Sequence, residues 1–262
     1  MLKTRVISGV ILAPLFLALV YFEAPYFNLL IAAISGVMAW EFMRMDGKAG
    51  IKRRALITVA VLAAVAVASL HGPLPALLVT AAGTIALVVA DQIGGRKGRH
   101  TLQIAILYVA VPAVSLLYVM DVGGSLSVFW MLAVVWATDI GAYAFGRTLG
   151  GPKLAPKVSP NKTWSGALGG LVCAVLASLG LLIWATGLPV TAALVGAAAS
   201  LSIVSQAGDL FESALKRRYQ VKDSGGIIPG HGGVMDRFDG LWAAAPVGAL
   251  FCWVGGSGVS AW

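Results

Sequence analysis

The sequence predicts an all-α, polytopic membrane protein with about nine transmembrane helices and a polar cavity facing the cytoplasm. Three observations carry this. Of 262 residues, 59% are apolar and only 11% are charged, where a soluble globular domain has roughly 25% charged residues. The apolar residues gather into runs of about 20, the length that crosses a bilayer. All 19 Lys and Arg fall at the N-terminus or in alternate inter-helix loops, as the positive-inside rule requires of a correctly threaded chain.

The expected spans cover about 6–22, 26–43, 55–71, 74–91, 102–120, 126–148, 166–186, 189–208 and 238–256. Lys3 and Arg5 precede the first, giving it the look of a secretory leader. The stretch Tyr21-Phe22-Glu23-Ala24-Pro25 offers no small-x-small cleavage site, and a second span follows at once. The first span is therefore read as a retained anchor. Basic residues cluster in 44–54, 96–99, 147–162 and 216–237, whereas 23–25, 72–73, 121–125, 187–188 and the tail 257–262 contain none. This puts the N-terminus in the cytoplasm and the C-terminus outside. The 32 glycines fit a membrane protein too, since Gly is commoner in transmembrane helices than in soluble ones.

The odd loops are very short, while 149–165 and 209–237 are long and polar. Two regions are expected: residues 1–125 with helices 1–5, and a catalytic region, 126–262, with helices 6–9 and those two cytoplasmic loops. A net charge of +8 would suggest nucleic acid in a soluble chain. Here it reads as basic loops facing an anionic leaflet, and no aromatic-basic platform or helix-turn-helix stands outside the apolar runs. The two cysteines, Cys173 and Cys252, sit inside apolar runs and read as thiols, not as a bridge or metal pair.

Ionisable groups at membrane depth are expensive and are functional candidates by default. Asp139 is one, with more than two turns of apolar residues before it. Glu41 and Asp91 lie near cytoplasmic span ends, where a long side chain reaches the interface cheaply, and are read as interfacial. The eighth span continues as Gly208-Asp209-Leu210-Phe211-Glu212-Ser213-Ala214-Leu215-Lys216-Arg217. At about 100° per residue, Asp209, Glu212, Ser213 and Lys216 share one face. A solvated Glu212–Lys216 pair explains two of the four. It does not explain Asp209, placed where the apolar run ends.

A glycine-rich segment follows, Lys222-Asp223-Ser224-Gly225-Gly226-Ile227-Ile228-Pro229-Gly230-His231-Gly232-Gly233-Val234-Met235-Asp236-Arg237-Phe238-Asp239-Gly240. Glycines let backbone N–H groups come close to an anion. Lys222, His231 and Arg237 add cationic donors, Arg being especially suited to phosphate. Asp236 and Asp239, three apart at the start of the ninth helix, can present two carboxylates on one side. Hard oxygens beside phosphate-binding donors point to Mg²⁺ held partly through substrate phosphates. A second basic loop, Lys157-Val158-Ser159-Pro160-Asn161-Lys162-Thr163-Trp164, precedes helix seven. There Ser159, Asn161, Lys162 and Thr163 can donate to phosphate or nucleotide. The chain has no GxxxxGK[ST], GxGxxG or HExxH motif.

On Ser213, Lys216-Arg217, Lys222-Asp223, Gly225, Pro229, His231-Gly232-Gly233, Asp236-Arg237 and Asp239, the chain resembles the phosphatidate cytidylyltransferase (CDP-diacylglycerol synthase) family, at matching spacing and without gaps. Gly208-Asp209 and Ser159-Pro160-Asn161-Lys162-Thr163 resemble family segments as well. Relatives often carry Glu two residues after that Thr, where this chain has Ser165. The tight resemblance covers 139–240; the first half matches in hydropathy alone.

The resemblance implies CTP + phosphatidate → CDP-diacylglycerol + pyrophosphate in phospholipid synthesis at the inner membrane. By that analogy Asp209 and Asp236 hold the metal centre, Mg²⁺ with a second cation such as K⁺. Lys216, Lys222, Arg237, His231 and Asp139 complete the catalytic set. Arg217, Asp223, Gly232, Gly233 and Asp239 join the 159–163 loop in substrate binding, and the family also suggests a homodimer. Two rivals are a CTP-dependent polyprenol or lipid kinase, and a secondary transporter built on Asp139 and Gly-rich helices. Against the transporter, charges concentrate in loops and no inverted repeat is visible.

Overall fold

The computed structural model describes residues 2–47, 49–93, 101–187, 189–228 and 232–262. The basic loop 96–99 and the expected catalytic residue His231 lie outside the described residues. The chain forms two compact units, Met1–Tyr118 with Tyr219–Phe238, and Val119–Arg218 with Asp239–Trp262.

In the first unit, α1 (Leu2–Tyr21), α2 (Tyr26–Met45), α3 (Ile51–His71) and α4 (Pro73–Ile93) follow one another through short connections. Each packs on the next in chain order. α2 buries the stripe Phe27, Ile31, Ile34, Met38 and Phe42, the three-and-four spacing of a single helix face. The outward faces of these helices are apolar as well: Leu29, Val59 and Leu70 are exposed, which suits a surface bathed in hydrocarbon. The ring of Phe42 meets Tyr108 at 5.7 Å and Tyr219 at 6.5 Å. Tyr219 in turn donates its hydroxyl to Thr101 Oγ1 at 3.2 Å, tying the segment after residue 218 into this unit.

The longest helix, α5 (Thr101–Leu149), is interrupted at Gly124, whose φ of 63° and ψ of −174° leave the helical region. Such a backbone is open to glycine and strained for other residues. The expected spans 102–120 and 126–148 fall on either side of this break. Seven described helices are long and apolar enough to cross a membrane, α5 counted once, and α1 adds a shorter apolar stretch, Val10–Tyr21. The chain is thus an all-α multi-pass membrane protein.

In the second unit, the arm of α5 beyond Val119 packs with α6 (Trp164–Thr186), α7 (Ala192–Arg218) and the body of α8 (Met235–Gly255). Glycines make the α5–α6 crossing. A Cβ on Gly166 would stand 2.7 Å from the Ala142 carbonyl oxygen, and one on Gly170 would stand 2.7 Å from that of Thr138. Gly166-x₃-Gly170 against Ala142-x₃-Gly146 is the small-residue spacing by which membrane helices approach closely where no hydrophobic effect drives them together. Gly208 does the same for α7 and α8, since a side chain there would collide with Ala243.

Buried polar bonds hold the same bundle. Trp130 Nε1 donates to Ser178 Oγ at 2.6 Å, Thr138 Oγ1 to Ser202 Oγ at 2.9 Å, and Gln206 Nε2 to the Ala167 carbonyl at 3.3 Å. Trp130 and Ser178 are both fully buried, where an indole N–H without a partner would be costly.

The expected loop 149–165 is more ordered than the sequence suggested. It folds into an antiparallel hairpin of β1 (Lys153–Ala155) and β2 (Ser159–Thr163), with Lys153 opposite Thr163 and Ala155 opposite Ser159. Its base is closed by Ser165, which donates to the Gly150 carbonyl and lies 3.0 Å from Thr163 Oγ1. The residue that departs from the family pattern thus serves as a strut in this chain. Prolines 156 and 160 hid the strands, because Pro is confined to edges and turns of sheets.

Candidate active site

Thr163 ends β2 and caps α6, accepting the Gly166 N–H at 3.1 Å. An N-cap hydroxyl at this position satisfies one of the helix's orphan donors. The cap also fixes the adjacent Lys162, whose Nζ reaches Asp209 Oδ2 at 2.5 Å. Asp209 lies on α7, and Ser213, one turn on, points its hydroxyl back at Oδ1 at 3.4 Å.

These residues border a cavity of about 570 Å³ within the second unit. Asp139, Asn161, Lys162, Thr163 and Asp209 line it, five residues that the sequence singled out from three separate segments. The lining also includes Arg147, Tyr143 and Gln206, which the sequence did not single out. Arg147 donates to the Tyr143 hydroxyl at 2.7 Å, so its guanidinium is held in place at the cavity wall. Its signal was an arginine at the end of an apolar span.

Asp239, on α8, is within electrostatic reach of Asp209, Asp139 and Lys216, and Asp139 is within reach of Asp209 and Lys162. Three carboxylates and two ammonium groups therefore share one neighbourhood. Lys216 also reaches the buried Glu212 Oε1 at 2.9 Å, the i,i+4 pair the sequence allowed for. Ser159 stands at the far end of β2, paired with Ala155, and Arg217 is exposed near the end of α7.

In the first unit the glycine-rich segment folds around Asp236. Oδ2 of Asp236 accepts the Gly233 N–H at 2.9 Å, the Ser224 N–H at 3.0 Å and the Ser224 hydroxyl at 3.0 Å. Gly232 adopts a φ of 85°, a turn conformation that glycine supplies without strain. Lys222, Asp223 and Arg237 are exposed.

A residue read as interfacial enters this loop. Glu41 is 1% exposed. Its Oε2 accepts the Met235 N–H at 3.0 Å and lies 3.3 Å from Ser224 Oγ, whose one proton it shares with Asp236 Oδ2. The snorkelling expectation fails here because these donors hold Oε2 inside the unit, where Oε1 is buried without a hydrogen-bond partner. Asp91 is also buried, and takes a hydrogen bond from Gln103 Nε2 at 3.1 Å.

Among the described residues no group of three or more His, Cys, Asp and Glu could hold a metal ion by itself. The donor set still suits Mg²⁺. This ion is bound through one or two carboxylates, with phosphate oxygens and water completing its shell. Asp209, about a third exposed, keeps such oxygens accessible.

Comparison with known proteins gives the family. Residues 3–254 match the model of the cytidylyltransferase family. The phosphatidate cytidylyltransferase of Brucella suis biovar 1 is 39% identical over 259 residues, covering 95% of this chain and 93% of its own. That of Pseudomonas aeruginosa is 36% identical, covering 98% and 99%, and that of Bacillus subtilis 34% identical, covering 94% and 95%. On a family match spanning nearly its full length, the chain belongs to the cytidylyltransferase family.

Proposed function

We propose that this chain joins CTP to phosphatidate, releasing pyrophosphate and leaving CDP-diacylglycerol in the bilayer. The observation that carries the reading is end-to-end similarity to relatives named for that activity. A cationic and carboxylate-lined cavity among membrane-spanning helices supports it.

The chemistry asks little covalent work of the protein. An oxygen of the lipid phosphate, already ionised at neutral pH, attacks the α-phosphorus of CTP. The new P–O bond forms as the bridge to the β-phosphate breaks, and pyrophosphate departs with the electron pair. No general base is needed. Two anions must instead be held together and charge on the leaving group offset. Lys162, which lines the cavity next to the cap of α6, is the cation we assign to a phosphate entering it, with Asn161 as a donor beside it. Lys216, Lys222 and Arg237 are the further cations we assign to the phosphates. Asp209 and Asp236 are the carboxylates we assign to Mg²⁺, which when bound neutralises charge on the triphosphate. A second cation such as K⁺ belongs to the same reading.

The positive-inside count supports an active site and N-terminus on the cytoplasmic side of the inner membrane, where CTP is available. The lipid then keeps its tails in the bilayer while its head enters the polar cavity. A homodimer belongs to this reading, and mass measurement in detergent tests it.

Purified protein incubated with phosphatidate and CTP labelled at the α-phosphorus decides the assignment. Label is expected in the lipid, with one pyrophosphate released per label transferred. Transfer of the γ-phosphate would make the chain a lipid kinase, and absence of any CTP consumption would overturn the enzymatic reading.

A further inference from the structure

We propose that Glu41 is a positioning residue for the catalytic loop, a carboxylate supplied by α2 that caps the start of α8. Met235 is the first residue of α8, so its N–H has no acceptor within the helix. Glu41 Oε2 accepts a hydrogen bond from it at 3.0 Å, and a negative group at this end also meets the positive pole of the helix dipole. The same oxygen lies 3.3 Å from the Ser224 hydroxyl, whose backbone N–H and oxygen both contact Asp236. Glu41, Ser224 and Asp236 thus form one chain of contacts around residues 224–236.

The surrounding glycines fit the same role. A Cβ on Gly225 would collide with Glu41 Oε1, and one on Gly233 would meet Ser224 Oγ and both Glu41 oxygens. The loop closes onto this carboxylate only where side chains are missing. A buried acid on an otherwise apolar face of a membrane helix is costly, and snorkelling does not account for one that is 1% exposed. Glu41 packs against Gly233 of the same loop. It acts through Ser224 and Asp236, and the inference rests on the proposed reaction in that respect alone.

The test compares Glu41→Ala, Glu41→Gln and Ser224→Ala in detergent-purified full-length protein. Gln keeps an acceptor oxygen for the Met235 N–H and Ala does not. Glu41→Ala is expected to lower kcat by about 10²-fold, the cost of roughly 1 Å of misplacement at a reacting centre. It should also raise the Mg²⁺ concentration for half-maximal rate, whereas Glu41→Gln should recover most of both. Hydrogen exchange, which needs no turnover, should quicken over 222–237 in Glu41→Ala and stay unchanged in α6 and α7.

Wild-type kinetics and exchange in Glu41→Ala would overturn the proposal, as would a Gln variant as impaired as the Ala variant. If Glu41→Ala does not fold, Glu41→Gln and Ser224→Ala decide: a near-normal Gln variant and a faster-exchanging loop in Ser224→Ala support it, and the reverse defeats it. A wild-type protein inactive on phosphatidate would sink the proposed reaction while leaving the exchange comparison to judge Glu41.

Discussion

The ammonium of Lys162 stands 2.5 Å from Oδ2 of Asp209, joining the hairpin to the C-terminal half of α7 across the cavity wall. The two side chains are 26% and 35% exposed, so water screens their attraction and the pair adds at most about 1 kcal/mol to stability. Its value lies in the site. The cation is held at the cavity by an acid that also has a second oxygen turned to Ser213. In the proposed reaction, an arriving triphosphate takes over the lysine and frees that acid for a metal ion.

Lys162→Met should therefore separate stability from activity. We expect the thermal midpoint in detergent to move by no more than a few degrees, and kcat/KM for CTP to fall at least about 10²-fold, the scale for removing one charge-stabilising donor. A variant with normal kcat/KM would remove Lys162 from the phosphate contacts.

Asp209→Asn and Asp236→Asn should each abolish turnover. Neither should unfold the protein, since Asn retains one acceptor oxygen and nearly the same shape. At position 236 that oxygen can still take the Gly233 N–H, now 2.9 Å away. We expect at least about a 10³-fold loss in rate if each carboxylate's charge serves the metal. Size exclusion and circular dichroism would show the fold intact, and near-normal turnover in either variant would end its assignment as a ligand.

Much of the site was legible because its parts are local. Asp209 stands where an apolar run stops, and the loops proposed to bind phosphate stand out by glycine and charge over short stretches of chain. Helix existence was legible for a related reason: a bilayer demands about 20 apolar residues whatever the fold. Glu41 was not legible. Its partners Ser224 and Met235 lie 183 and 194 residues away, and no local pattern tells a snorkelling acid from one that caps a distant helix. Arg147 was passed over because a basic residue at a span end is what the positive-inside rule already expects. The hairpin was missed because strands of three and five residues are too short to show alternation, and its prolines argue against sheet.

The α5–α6 crossing yields a prediction about stability. Gly170→Ala puts a methyl 2.7 Å from the Thr138 carbonyl and 3.2 Å from Ala142 Cβ, both fixed by helix backbone. Overpacking of this kind costs about 1–3 kcal/mol. We expect a clearly lowered thermal midpoint in detergent. Gly180→Ala is the control, because nothing lies within 4 Å of its Cβ position, and it should leave the midpoint unchanged or raised. Equal effects from both variants would contradict the close-approach reading of this crossing.

Removal of divalent ions tests the carboxylate chemistry directly. EDTA should stop CTP consumption, and Mg²⁺ should restore it. Ca²⁺, which takes more ligands at longer distances, should restore it poorly. Binding can also be followed without turnover, through the fluorescence of Trp164, the first residue of α6, two residues after Lys162 in the chain and 54% exposed. Adding Mg²⁺ with a non-hydrolysable CTP analogue should shift that emission in the wild type and not in Asp209→Asn. If turnover continued in EDTA at the full rate, charge on the pyrophosphate would have to be offset by Lys162, Lys216, Lys222 and Arg237 alone, and the acids at 209 and 236 would need another purpose.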